Sequence, residues 1–227
     1  MRSMPDFLSE QSFWDPVCRS IFVASVTLII VFFFGIFIGG FMAEKNFRGK
    51  SVIETIMMLP LVLPPSVVGF ALLAVFGRSS PVGQWIEWLF HQPVVFTVWA
   101  AILSSSVVSF PLMYQTVKIG FSSIPPAIKE AAKIDGAGFW RSFLFVQMPL
   151  AKQALLTGGI LSFARALGEF GATLMFAGNI PGKTQTMPTA IYLAVETNET
   201  SLAWAWVILT MIISFLLLFA ANRIRYK

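Results

Sequence analysis

The run SIFVASVTLIIVFFFGIFIGGFMA, residues 20–43, holds 24 residues without a Lys, Arg, Asp or Glu. As a helix it would extend about 36 Å, enough to cross a hydrocarbon core of about 30 Å with some tilt. A secretory h-region is about 7–15 residues long and follows a basic stretch. This run is longer, and Asp6, Glu10 and Asp15 are mixed with Arg2 and Arg19 before it. It is read as a membrane span. The segment ahead of it fits an amphipathic helix lying on the membrane, with Phe7, Leu8, Phe13 and Trp14 as its contacts.

Composition agrees. Of 227 residues, 56% are hydrophobic and only 12% are charged, with 23 Phe and 7 Trp, against about 25% charged in soluble proteins. That leaves too little polar surface to cover a water-soluble globule, and disorder needs the opposite composition. Cys18 is the only cysteine and His91 the only histidine. An internal disulfide, a Cys- or His-ligated metal site and a Ser-His triad within the membrane are therefore not expected. No metal or cofactor is assigned to this chain.

Four more apolar runs follow. Residues 55–77, 92–117 and 200–222 are free of charge, while residues 152–183 are interrupted by Arg165 and Glu169. Counting the interrupted run, since it is too apolar to lie in water, the expectation is an all-α membrane protein with five transmembrane helices. Eleven of the sixteen cations fall in one set of loops, at Lys45 to Lys50, Lys118 to Lys152 and Arg223 to Lys227. The positive-inside bias places that set in the cytoplasm, with the N-terminus outside and the C-terminus inside. The same sorting removes the nucleic-acid reading of a pI near 9.6, because the cations flank spans and form no basic stripe. Trp85, Trp88, Trp99, Trp204 and Trp206 fall near span ends, as an interfacial belt would.

The loop over residues 118–152 is organised rather than slack. Ser122-Ser123-Ile124-Pro125-Pro126 offers N-cap hydroxyls and prolines suited to a first helical turn. A short helix is expected over 127–135, ended by Gly136 and Gly138. Ala127, Ala131 and Ile134 form a small-residue stripe beside Lys129, Glu130 and Lys133, a shape suited to docking in a groove of another protein. Glu130-Ala131-Ala132, three residues, Gly136, nine residues, Val146, one residue, Met148-Pro149 resembles the EAA motif of ABC importer permeases. Val146 and Met148 stand where that family has Ile and Leu. The resemblance implies a type I importer permease of the MetI-like fold, with a cytoplasmic coupling helix. Ala127, Glu130, Ala131, Ala132, Asp135 and Gly136 would seat that helix in a separate ATPase. Gly49-Lys50-Ser51 and Gly182-Lys183-Thr184 do not make a P-loop, because Glu44 and Ala177 stand where its first glycine is needed. Both tripeptides are read as loops, and the chain as a transport subunit rather than an enzyme.

Further stretches are similar to the molybdate permease subunits of the oxyanion branch. They are Leu59-Pro60-Leu61-Val62-Leu63-Pro64-Pro65 with Val67-Val68-Gly69-Phe70, then Phe76-Gly77-Arg78 through Gly83-Gln84. The third is Phe163 to Thr173, containing Arg165, Gly168, Glu169 and Gly171, followed by Gly178-Asn179-Ile180-Pro181-Gly182-Lys183-Thr184. Sulfate permease subunits share part of this pattern, and tungstate has nearly the size and charge of molybdate. The resemblance implies a homodimeric pore, two cytoplasmic ABC ATPase subunits and an external oxyanion-binding protein, in a bacterial inner membrane and in contact with its lipid. It covers residues 17–222, leaving 1–16 as an external N-terminal segment and 223–227 as a cytoplasmic tail.

The residues of those stretches also carry a reading of their own. Pro60, Pro64 and Pro65 remove backbone donors inside the second span, which is tolerated where a broken helix packs in protein or lines a cavity. Arg165 and Glu169 are i, i+4 neighbours able to pair. Charges at that depth either hold helices together or mark a pathway, and both alternatives stand. Gly168 and Gly171 would permit close approach or local unwinding, while Gly35 and Gly39 read as ordinary small-residue packing. An ATP-independent secondary transporter would instead predict inverted repeats or intramembrane acid and histidine relays.

Overall fold

The computed structural model describes residues 11–225, and they are helical almost throughout. The helices are α1 (Gln11–Glu44), α2 (Lys50–Val62), α3 (Pro65–Phe76), α4 (Pro81–Phe90), α5 (Val98–Ser122) and α6 (Pro126–Ile134). They continue with α7 (Phe139–Leu150), which contains a π-helical turn over Phe143–Gln147. The last are α8 (Lys152–Leu167), α9 (Gly171–Phe176), α10 (Met187–Glu196) and α11 (Thr200–Arg225).

Among the described residues, three helices, α1, α5 and α11, are long and apolar enough to cross a membrane unaided. The count reaches five if each of two bent pairs is one span: α2 with α3, turning by 115°, and α7 with α8, turning by 73°. The five-helix expectation stands in that form, and two of its details change. The second run is two helices rather than one continuous helix, because Pro64 and Pro65 leave Leu63 and Pro64 extended (ψ 144° and 133°). In the fourth region, residues 139–150 form a helix that precedes the bend instead of remaining in the loop.

α5 is the axis of the bundle, packed against both α1 and α8, which also pack on each other. Missing Cβ atoms make this possible. A Cβ on Gly39 would lie 2.8 Å from Val117 Cγ1, one on Gly35 2.5 Å from Met113 Cγ, and one on Gly120 2.4 Å from Ala154 Cβ. With no side chain between them, the backbones approach closely, and dispersion replaces the hydrophobic drive that lipid does not supply. Hydroxyls secure the contact. Thr27 Oγ1 donates to Ile102 O, Ser162 Oγ to Ser109 O, and Ser104 Oγ lies 3.3 Å from Thr173 Oγ1.

α11 packs on α8 and α10 but leaves Met211, Phe215, Leu216 and Phe219 more than half exposed, an apolar face suited to lipid. At its start, Trp206 stacks on Phe13 with ring centroids 5.8 Å apart and donates from Nε1 to Phe13 O. Both rings are buried. Phe13 is thus a packing residue rather than a lipid contact, and Trp206 does not join the interfacial belt, whereas Trp85, Trp88, Trp99 and Trp204 are exposed. Phe7 and Leu8 lie outside the described residues. α1 already runs through residue 16. α4 and α10 are helices that lie between the apolar runs. Gly49 caps α2 with φ 87°, and Lys50 and Ser51 open that helix instead of continuing the loop.

Gly39→Ala and Gly120→Ala are each expected to destabilise the bundle by about 1–3 kcal/mol through overpacking. Gly159→Ala, whose Cβ would meet nothing closer than 3.6 Å, should be near neutral. Thermal unfolding of the purified protein in detergent separates the two outcomes.

Candidate translocation pathway and coupling surface

The two interrupted spans meet at their interruptions. A Cβ on Gly171 would stand 3.1 Å from Pro65 Cβ and 3.2 Å from Ser66 N, and a Cβ on Gly69 2.8 Å from Ala172 Cα. α3 and α9 therefore cross backbone against backbone, beside the cluster of Val68, Val108 and Ala172. Pro65 and Gly171 thus meet, and Pro64 and Pro65 are both exposed on the surface of the single chain. Gly168 differs. It is the C-cap of α8 with φ −89°, and a Cβ there would find only Ala164 O at 3.6 Å, so no steric demand selects glycine.

α8 ends at Leu167, and residues 168–170 are non-helical. Arg165 is in the last turn of α8, where a cation suits the helix dipole. Glu169 lies past the helix end and is 2% exposed. Its Oε1 accepts from Ala172 N at 2.8 Å, satisfying a free N–H of α9. Its Oε2 is 2.7 Å from Arg165 Nη1, an ion-pair distance without the alignment of a hydrogen bond. Arg165 keeps 28% of its side chain exposed while its Nη1 neutralises the buried carboxylate. The pair joins the end of α8 to the segment that leads into α9.

At the far end of α5, Ile124 and Pro125 lead into α6. The expected N-cap hydroxyls do not serve here. Pro125 is the N-cap, without a side-chain acceptor, and Ser123 Oγ turns back to Gly120 O. Proline at N1 removes one unsatisfied N–H and sets φ in advance. The helix closes with Gly136 left-handed at φ 77° and with Ala137 N donating to Ala132 O, a Schellman-type ending. Gly138 does not help end it but caps α7. Ala132 is buried against the chain, whereas Ala127, Glu130, Ala131, Asp135 and Gly136 are exposed. Ile134 is 86% exposed, a large apolar side chain with nothing over it. Lys129 Nζ anchors the inner face, 3.5 Å from Glu44 Oε1 and 3.3 Å from Phe121 O. Behind α6 lies a cavity of about 550 Å³ bordered by Glu44, Lys129, Lys133 and Gln147.

Two contacts were missed by sequence reasoning. Arg19 Nη1 and Nη2 donate to Lys183 O and Gly182 O, both at 2.7 Å, pinning the loop after α9 to α1. Glu54 Oε1 accepts from Lys118 Nζ at 2.6 Å and from Tyr114 Oη at 3.1 Å. The one available signal was that Glu54 and Lys118 border the same side of neighbouring spans with opposite charge. Among the described residues, no group of three or more His, Cys, Asp or Glu could hold a metal ion.

Paired broken helices in an apolar bundle, with a capped amphipathic helix displayed at one end, define an importer-type membrane permease. The chain belongs to the family described as binding-protein-dependent transport system inner membrane component, which it matches over residues 35–225. It is 56% identical over 219 residues, 96% of each chain, to the putative molybdenum transport system permease protein YvgM of Bacillus subtilis (strain 168). It is 38% identical over 184 residues to the molybdenum transport system permease protein ModB of Escherichia coli (strain K12), covering 81% of this chain and 80% of that one. The sulfate transport system permease protein CysT of the same strain is 31% identical over 229 residues, covering 97% and 82%. Among solved structures, an inward-facing form of the MetNI methionine ABC transporter superposes with TM-score 0.70 at 17% identity, covering 93% of this chain and 94% of that one. An alginate ABC importer superposes with TM-score 0.76 at 16% identity, covering 96% and 80%. At those identities the likeness establishes the fold alone, which is MetI-like as expected. Membership of the family makes the chain a membrane-embedded transport component and not an enzyme.

Arg165→Ala would leave Glu169 buried and unpaired and is expected to cost about 3–5 kcal/mol. Adding Glu169→Gln, which keeps an acceptor for Ala172 N, should recover most of that loss in the same thermal unfolding assay.

Proposed function

We propose that this chain is the permease subunit of an ATP-driven importer of molybdate, with tungstate as an accepted analogue. The observation that carries the cargo is the 56% identity, over nearly the whole of both chains, to a protein named as a molybdenum transport permease. The more distant likeness to a sulfate permease supports the broader class of tetrahedral oxyanions and is the second reading.

In this proposal two copies form the pore about a two-fold axis, since each chain supplies one coupling helix and one pair of broken spans. An ATPase subunit binds beneath each α6, and an oxyanion-binding protein docks at the opposite end. The cation distribution supports an external N-terminus and a cytoplasmic C-terminus. Ala127, Glu130, Ala131, Asp135 and Gly136 provide the exposed coupling face, and Ala132 seats the helix on its own chain. Pro64, Pro65, Gly168 and Gly171 frame the gate, with Arg165 presenting its free edge to the passing anion. A dianion is held tightly only by several charge-assisted donors. One arginine half-neutralised by Glu169 suits transient contact, with selectivity left to the external protein. ATP closes the ATPase pair, α6 is displaced, and the gate alternates between its two faces. No resident cofactor is needed in this cycle.

The test is uptake into vesicles containing the complete complex, with molybdate, tungstate and sulfate in competition. Molybdate and tungstate are expected to compete within about tenfold of each other, and sulfate much more weakly. Equal competition by sulfate favours the sulfate reading, and uptake that persists without ATP or the ATPase subunit overturns the proposal in favour of a secondary transporter. Gly136→Leu, which strains a left-handed residue by about 1–3 kcal/mol, should lower ATPase co-purification and uptake at least tenfold. The stable Arg165→Ala/Glu169→Gln pair should lose uptake to a similar degree if Arg165 meets the anion; full uptake would make the pair structural only.

A further inference from the structure

α2 contributes no buried residue to the single chain, and Val52, Ile56 and Val62 are 62%, 58% and 81% exposed. Beyond Lys50, its only charged residue is Glu54. Both partners of Glu54 come from α5. Lys118 Nζ and Tyr114 Oη converge on the same oxygen, Oε1, at 2.6 and 3.1 Å, and their i, i+4 spacing puts them on one face. Tyr114 is 1% exposed, so its ring is held by the bundle core and its hydroxyl is aimed rather than free. Lys118 and Glu54 are 29% and 23% exposed, too sheltered to behave as a loose surface pair. Lys50 donates to Lys45 O at 2.8 Å and acts on Glu54 only through its charge, so Lys118 is the cation in direct contact with Glu54.

The positions of the two helices give this bridge its consequence. One turn beyond Lys118, α5 ends and the chain passes through Ile124 and Pro125 directly into α6. Eight residues beyond Glu54, α2 ends at the Leu63–Pro64 break, where α3 crosses α9. We propose that Glu54 and Lys118 are positioning residues that make α2 follow the coupling helix, with Tyr114 fixing the carboxylate, so that displacement of α6 reaches the proline break through an ion pair as well as through the bundle. This rests on the permease reading above, and it assigns a role to a contact that the reading does not require.

The test uses the complete complex in vesicles with molybdate. Glu54→Lys and Lys118→Glu are each expected to lower uptake per ATP hydrolysed at least tenfold while the ATPase stays bound, and the double reversal is expected to return within about threefold of the original ratio. A second measurement needs no cargo. Hydrogen–deuterium exchange over residues 55–62 should accelerate at least fivefold in Glu54→Gln, which keeps an acceptor for Tyr114 but loses the charge. Unchanged coupling in both single reversals, no recovery in the double reversal, or unchanged exchange in Glu54→Gln overturns the proposal. Failure of the unaltered complex to take up molybdate would count against the cargo instead, and the exchange measurement would then decide the link.

Discussion

Everything else in this molecule is arranged around the crossing of two interrupted helices. Within a bilayer an interrupted helix exposes N–H and C=O groups that lipid cannot satisfy. The chain answers this in two ways. Proline removes donors at the break between α2 and α3, and Glu169 supplies the acceptor for Ala172 N at the break between α8 and α9. The breaks then pack on each other, Gly171 against Pro65 and Gly69 against Ala172. α5, α1 and α8 form the stiff frame in which that crossing is held, and their closeness comes from glycine at Gly39, Gly120 and Gly158.

The same frame connects the crossing to both ends of the molecule. At one end α5 flows into α6, whose outer face is unoccupied and whose inner face is fixed by Lys129 and Ala132. At the other, Arg19 and Ser20 of α1 hold the chain that follows α9, Arg19 through Gly182 O and Lys183 O and Ser20 through Met187 N. A permease needs this division, with rigid helices to carry displacement and local breaks where it can be taken up.

Much of this was legible in the sequence. Charge-free runs, the proline pair, the EAA spacing and the Arg165–Glu169 pair were all readable because each depends on local chemistry: hydropathy, a missing donor, a left-handed glycine, a four-residue spacing. Other features resisted. Phe13 and Trp206 look like interfacial aromatics until their stacking buries them, since an aromatic next to a span has the same local signature in either role. Ser122 and Ser123 look like caps for α6 until α5 continues through Ser122. Glu54 gave no signal on its own, because a lone carboxylate near a span end is ordinary until Tyr114 and Lys118 are brought opposite it.

The amino-acid sequence by itself determined that this chain lies in a membrane as helices, that two of its apolar runs are interrupted, and that a short helix over 127–135 is closed by Gly136. Those properties follow from the transfer free energy of side chains and from the dihedral limits of proline and glycine, which act within a few residues. Only the tertiary structure decided that the two interruptions face each other, that Glu169 caps the helix after its own break, and that Glu54 is tied to Lys118. Those contacts join residues from 3 to more than 100 positions apart, and their partners are chosen by how the helices pack once the lipid has excluded water from the bundle.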